Sequence, residues 1–165
     1  MKFVIEIVTR GVDYTRFRQT YHSEAFNQEV AAEANLKERS LKEHVTQPDG
    51  KERRRVLVVP TVNLPSAFLK ILNGRPISYE EVTVFDPATR SATFDIESVA
   101  GDKLSVTGIA RFIEEGGGVR LRFEGEAVVH VFGVGGIVER FIVQEVKGRY
   151  AIIERLLQRF VDEGR

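Results

Sequence analysis

The sequence predicts an α+β fold, a curved antiparallel sheet of about seven strands wrapped around a long C-terminal helix, with two short helices after strand 1. Three observations predict it. Segments alternating apolar and polar residues succeed one another from Leu36 to Val129, the mark of an antiparallel sheet with one buried and one solvated face. One amphipathic stretch begins after Gly135-Gly136 and runs to about Val161. Between the first strand and the rest, Asp13 and Ser23 stand where helix N-caps belong.

In the first strand, KFVIEIVT, Phe3, Ile5 and Ile7 share one face. Asp13 then caps a short helix carrying Tyr14, Phe17 and Tyr21, and Ser23 caps a second with Phe26, Val30 and Ala34 at helical spacing. Strands 36–47 and 51–60 flank Pro48-Asp49-Gly50, a turn because proline fixes φ and glycine accepts φ > 0. Strand 77–85 ends at Asp86-Pro87, and strand 90–98 alternates Ala92, Phe94 and Ile96. After Gly101-Asp102, strand 104–112 alternates Leu104, Val106, Gly108, Ala110 and Phe112. Glu115 to Gly118 supplies a turn, and strand 119–129 then sets Val119, Leu121, Phe123, Gly125, Ala127 and Val129 against Arg120, Arg122, Glu124 and Glu126. Gly108 and Gly125 sit on inward registers of consecutive strands, where they either leave space under the helix or permit close packing.

A chain of 165 residues is expected to form one domain spanning 1–165. It can bury roughly 70% of its unfolded surface, enough for a core and a modest cavity. The 24 Lys and Arg balance the 24 Asp and Glu, so no global field draws nucleic acid, which is not expected as a partner. The basic cluster Lys51 to Arg55 reads as a solvated strand face. With no cysteine there is no disulfide framework, thiol nucleophile or Cys-based zinc site. MKFVIEIVTRG lacks the apolar run and cleavage site of a signal peptide, and no apolar run approaches the ~20 residues that span a bilayer. A soluble, cytoplasmic protein is expected.

The element order resembles the helix-grip fold of the START / polyketide cyclase / birch-pollen-allergen superfamily over essentially the whole chain. FGVGGIVERFI resembles the glycine-containing entry to the last helix in uncharacterised bacterial START-like families. VNLPSAFLKILNG followed by YEEVTVFDPATR loosely resembles PRELI-type lipid-transfer domains, where a proline-containing loop precedes a Glu-rich strand ending near Asp-Pro. The resemblance implies a hydrophobic or amphipathic ligand, a lipid foremost, held between sheet and helix, in proteins many of which bind without catalysing anything.

In the final helix Val138, Val146, Ile153, Leu156 and Phe160 lie within about 40° of Ile142 on a helical wheel, and Phe141, Tyr150, Leu157 and Val161 widen the apolar stripe. Glu145 and Arg149 fall inside it, four residues apart and within pairing reach. Three accounts stay open. Gly148 loosens the helix and turns the pair to a rim; the two form a buried ion pair; or they line a cavity and offer a ligand's polar end a handle, an arginine suiting phosphate or carboxylate.

The sheet wall of such a cavity would come from Phe94 and Ile96, from Val106, Ala110 and Phe112, and from Leu121, Phe123 and Ala127. The helix wall would come from Phe141, Ile142, Val146 and Ile153, with Glu145 and Arg149 near a polar end. Residues 60–76, PTVNLPSAFLKILNGRP, hold a short helix between Pro65 and Gly74 that is apolar nearly all round. Its Leu64, Phe68, Leu69 and Leu72 either pack over one end of the sheet or form a mobile lid at the cavity mouth, with transient membrane contact during exchange as an option. Phe68 and Leu69 would sit on the gate.

His22, His44 and His130 lie far apart and read as surface or edge residues, so no metal is expected. There is no Gly-x-Ser-x-Gly nucleophile turn and no GxxxxGK(S/T) phosphate loop, and no cofactor is expected. The leading expectation is therefore non-catalytic binding or transfer of an amphipathic molecule. Two alternatives stand beside it: a cyclase- or hydrolase-type enzyme using Glu145 as general base, and a protein-interaction module whose cavity is filled. Oligomeric state is not legible.

Overall fold

β1 (Lys2–Arg10) alternates exposed and buried residues along its whole length, so the period-two pattern of its sequence becomes one buried face. A computed structural model describes residues 1–165. It continues through α1 (Tyr14–His22), α2 (Glu24–Glu33), β2 (Leu36–Thr46), β3 (Glu52–Pro60), α3 (Ser66–Leu72), β4 (Tyr79–Asp86), β5 (Ser91–Ser98), β6 (Leu104–Glu115), β7 (Gly118–Val129) and α4 (Gly135–Asp162). All seven strands form one antiparallel sheet in the order β1-β7-β6-β5-β4-β3-β2. Sheet, long C-terminal helix and short helices together make the α+β helix-grip arrangement. No helix is long and apolar enough to cross a membrane.

Local chemistry explains the joints. The Asp13 carboxylate accepts from the Arg16 amide at 2.8 Å and the Ser23 hydroxyl from that of Phe26 at 3.2 Å, satisfying donors that a helix start leaves free. β6 and β7 extend until Glu115 faces Gly118, joined through Gly116 and Gly117 at φ +58° and +74°. A two-residue hairpin loop of that kind needs positive φ at both positions, which a pair of glycines supplies without strain.

Gly108 and Gly125 face each other across β6 and β7. A Cβ on Gly108 would lie 2.2 Å from the Glu124 carbonyl and 2.5 Å from the Phe94 ring; one on Gly125 would lie 2.6 Å from Phe3 and 2.9 Å from Phe94. The close-packing alternative is therefore the one realised. The rings of Phe3 and Phe94 occupy the space a Cβ would need, and the glycines open no free space.

α4 runs unbroken through Gly148 and meets three surroundings. Its C-terminal part packs on α2, with Phe26 and Phe160 ring centres 5.4 Å apart and perpendicular. Arg159 and Arg155 reach Glu29 and Glu33 of α2. Its polar flank crosses the free edge of β1: Glu154 accepts from the Val8 amide at 2.7 Å, and Gln158 bonds both the amide and the carbonyl of Arg10. An edge strand offers unpaired backbone groups to any passing chain, and here the helix occupies them. Its middle, from Phe141 to Ile153, lies over the concave face of the sheet.

Candidate functional site

Between that middle stretch and the sheet lies a cavity of about 190 Å³, lined by 33 residues of which 23 are hydrophobic. Such a lining makes apolar burial the main force open to an occupant, at about 25 cal/mol per Å² of apolar surface. The volume is below the ~300–1,000 Å³ common for pockets that hold drug-sized molecules. An occupant of that size must therefore displace side chains from the walls, and Phe68, Phe94, Phe123 and Phe141 are among those projecting inward.

The sheet wall includes Phe94 and Ile96 of β5, Val106, Ala110 and Phe112 of β6, and Leu121 and Phe123 of β7. Ala127 is absent from it. This residue points inward but is fully buried near the end of β7, where α4 starts directly against the strand and Glu139 accepts the Val129 amide at 3.0 Å. Phe141, Ile142, Val146 and Ile153 line the helix side. Phe123 and Tyr150 approach to 4.3 Å between ring centres and hold the two walls together.

Glu145 and Arg149 do not pair. Arg149 turns inward to donate to the Tyr79 hydroxyl, with Glu81 at 4.0 Å, while Glu145 stands exposed at the rim. The wheel explains the separation without any break at Gly148. Buried Val143, half-buried Tyr150 and buried Leu157 shift the centre of the enclosed arc about 25° away from Glu145, leaving that residue at the margin and Arg149 well inside.

Residues 60–76 contribute Pro60, Val62, Phe68 and Leu72 to the wall. α3 is seated rather than detached: Ala67, Phe68, Ile71 and Leu72 are buried, Leu64 is half-buried, and Phe68 packs edge-on to Phe141 at 5.9 Å. Leu69 departs from its expected place beside Phe68, pointing outward and 51% exposed, because the helical step of 100° carries it round the helix.

The polar lining is the part the sequence reading missed. β4 turns Tyr79, Glu81 and Thr83 inward beside Phe85, β3 turns Arg54 inward beside Val56, and Arg39 comes from β2. The basic cluster is thus split by strand parity. Arg53 pairs with Glu43 at 3.0 Å and Arg55 with Glu97 at 2.7 Å on the outer face, whereas Arg54 enters the cavity. His22, expected at the surface, also lines it and meets Arg54 through Nδ1. α1 adds Arg18 and Tyr21. By register these polar residues share the face of Val56 and Phe85, but Leu57, Val59, Val82 and Val84 make the opposite face apolar too, so parity alone does not mark them.

One carboxylate, Glu81, serves two of these arginines. Arg39 donates to Asn27 at 2.9 Å and to Glu81 at 3.0 Å. Burial opposes its charge, but Glu81 and the neighbouring Tyr21 and Tyr150 outweigh that, and its pKa rises. Burial pushes the phenols of Tyr21 and Tyr79 up and that of Tyr150 well up, so all three remain neutral. Arg54 goes the other way: burial first, and then Arg18 beside it, lower its pKa. No group of histidines and carboxylates is placed to hold a metal ion.

The architecture recurs in solved structures of low sequence similarity. A START superfamily protein from Mycobacterium smegmatis is similar with a TM-score of 0.57 and 13% identity, over 99% of both chains. The di-domain ARO/CYC StfQ from the steffimycin biosynthetic pathway is similar with a TM-score of 0.62 and 14% identity, over 98% of this chain and 51% of that one. The Zhui aromatase/cyclase from Streptomyces sp. R1128 gives 0.56 and 11%, over 98% and 92%. At these identities what is shared is the fold, that of START superfamily proteins and aromatase/cyclases. No curated protein matches the sequence. The sequence relationship that does span sheet, cavity and helix, from residue 8 to residue 161, is to the family described as Protein of unknown function (DUF2505), and the chain belongs to that family.

Proposed function

We propose that the protein binds a hydrophobic or amphipathic small molecule, a lipid foremost, between the sheet and α4, and holds or passes it on without changing it chemically. The observation that carries this reading is the apolar cavity itself, walled by β5, β6, β7 and α4 and closed at one end by α3. Its location, under a long helix laid across a concave sheet, suits an occupant that buries an apolar body. Passage to and from a membrane is supported by the exposed apolar side chains Leu69 on α3, Ile137 on the first turn of α4 and Phe132 just before it.

An enzyme built on Glu145 has less support. That carboxylate stands at the rim while the polar groups converge on Glu81, and Arg149 takes Tyr79 and Glu81 as its partners. A protein-interaction module needs a core with no space left, against which the remaining cavity weighs.

Native mass spectrometry of freshly purified protein, followed by denaturation and organic extraction, tests the binding reading. A stoichiometric amphiphile released on unfolding is expected. Protein that carries nothing, and whose melting temperature no member of a lipid and fatty-acid panel raises, would overturn it.

A further inference from the structure

Of the four arginines lining the cavity, three have a carboxylate within reach. Arg39 and Arg149 share Glu81, and Arg18 pairs with Glu52 at 3.0 Å. Arg54 has none. Its one side-chain partner is Nδ1 of His22, which carries no negative charge. Its Nε is buried without any hydrogen-bond partner, and so is the Nε of Arg18. The Arg18 guanidinium carbon lies over the Phe85 ring, 3.8 Å from its centre.

Two adjacent guanidinium groups, each with an orphaned donor and only one carboxylate between them, form an arrangement that costs free energy unless something negative joins it. The cross-strand register adds direction. Arg54 stands opposite Thr83, Thr83 opposite Phe94, Phe94 opposite Gly108, and Gly108 opposite Gly125. One row across the concave face therefore runs from a cation, through a hydroxyl, to the aromatic floor of the cavity.

Resting on the binding reading above, we infer that the ligand is an amphipathic acid, whose carboxylate or phosphate head is held by Arg54 and Arg18 while its apolar body lies along the row toward Phe94. Arginine suits either head, because its planar fork donates two parallel hydrogen bonds to a pair of oxygens. Arg149, already engaged by Tyr79 and Glu81, is not the anchor.

Calorimetric titration with decanoate, decyl phosphate and 1-decanol, matched in tail, tests this. The intact protein is expected to bind at least one of the two acids about tenfold or more tighter than the alcohol, and the tighter acid identifies the head. Arg54→Met is expected to abolish that preference, bringing acid and alcohol to similar affinity, a pattern that mere loss of packing, which weakens both alike, would not give. Arg54→Lys, which keeps the charge without the fork, should retain part of the preference. Equal binding of acid and alcohol by the intact protein would overturn the inference yet leave the binding reading standing, and this arm needs no variant to fold. Undiminished acid preference in Arg54→Met would also overturn it. Failure of all three compounds to bind would remove both.

Discussion

Glu81 and Glu80 are neighbours on β4 with opposite fates. Glu80 faces out to Arg55, while Glu81 faces in, 3.0 Å from Arg39 and 4.0 Å from Arg149. Because one carboxylate serves two enclosed guanidinium groups, Glu81→Gln is expected to destabilise the protein by about 2–3 kcal/mol. Urea denaturation measures it, and a loss under half a kcal/mol would show the cluster to be solvated. The residue scale is also where the sequence was least legible. Arg149 stood out because it interrupts an apolar stripe, but nothing in that pattern revealed that its partner would be Tyr79, 70 positions away. Glu81 and Arg54 stayed hidden because β2, β3 and β4 carry charges on both faces, so alternation there does not announce which face is inside.

At the scale of elements, the strand and helix order was readable almost throughout, because caps, glycine turns and alternation are local features. The two outcomes left open, at Gly108 and at Gly148, separate on physical grounds. Gly108→Ala pushes a Cβ into backbone atoms of Glu124 and Gly125, and a loss of about 1–3 kcal/mol or outright misfolding is expected. Gly148 is exposed within an unbroken helix, and a Cβ there meets nothing within 4 Å. Gly148→Ala should accordingly stabilise by about 1 kcal/mol. Thermal melts of the two variants read both signs, and a destabilising Gly148→Ala would mean that α4 bends there after all. The edge of β1 was not foreseeable. Glu154 and Gln158 are polar residues of an amphipathic helix, and only the crossing of α4 over β1 turns them into caps for backbone groups. Loss of both to alanine should promote self-association through that edge, measurable by light scattering.

The whole molecule combines a sheet whose β5–β7 side is apolar with a β2–β4 side that turns Arg39, Arg54, Tyr79 and Glu81 inward, beside Tyr21 of α1 and Tyr150 of α4. Its stability should reflect the tyrosines. Tyr21, Tyr79 and Tyr150 hold their protons more tightly when folded than the ordinary phenol value of 10.0. The unfolded chain therefore releases protons first as pH rises past about 10, and unfolding becomes easier by up to about 1.4 kcal/mol per pH unit for each such tyrosine. Stability from this source is complete below pH 10 and declines above it. Tyr150→Phe should flatten the alkaline decline in denaturant midpoints, and an unchanged slope would place that hydroxyl in contact with water.

Photoaffinity labelling with a decanoic acid carrying a diazirine on its tail, followed by peptide mapping, most directly tests whether the space between sheet and α4 is where a ligand resides. Saturable labelling of the inner face of β5–β7 around Phe94 and Phe123 and of α4 around Ile142 and Val146, competed by unlabelled decanoate, is expected. Labelling confined to apolar residues on the outer face, such as Val4, Val45 or Ile109, all exposed to solvent, or labelling that unlabelled decanoate does not compete, would contradict it.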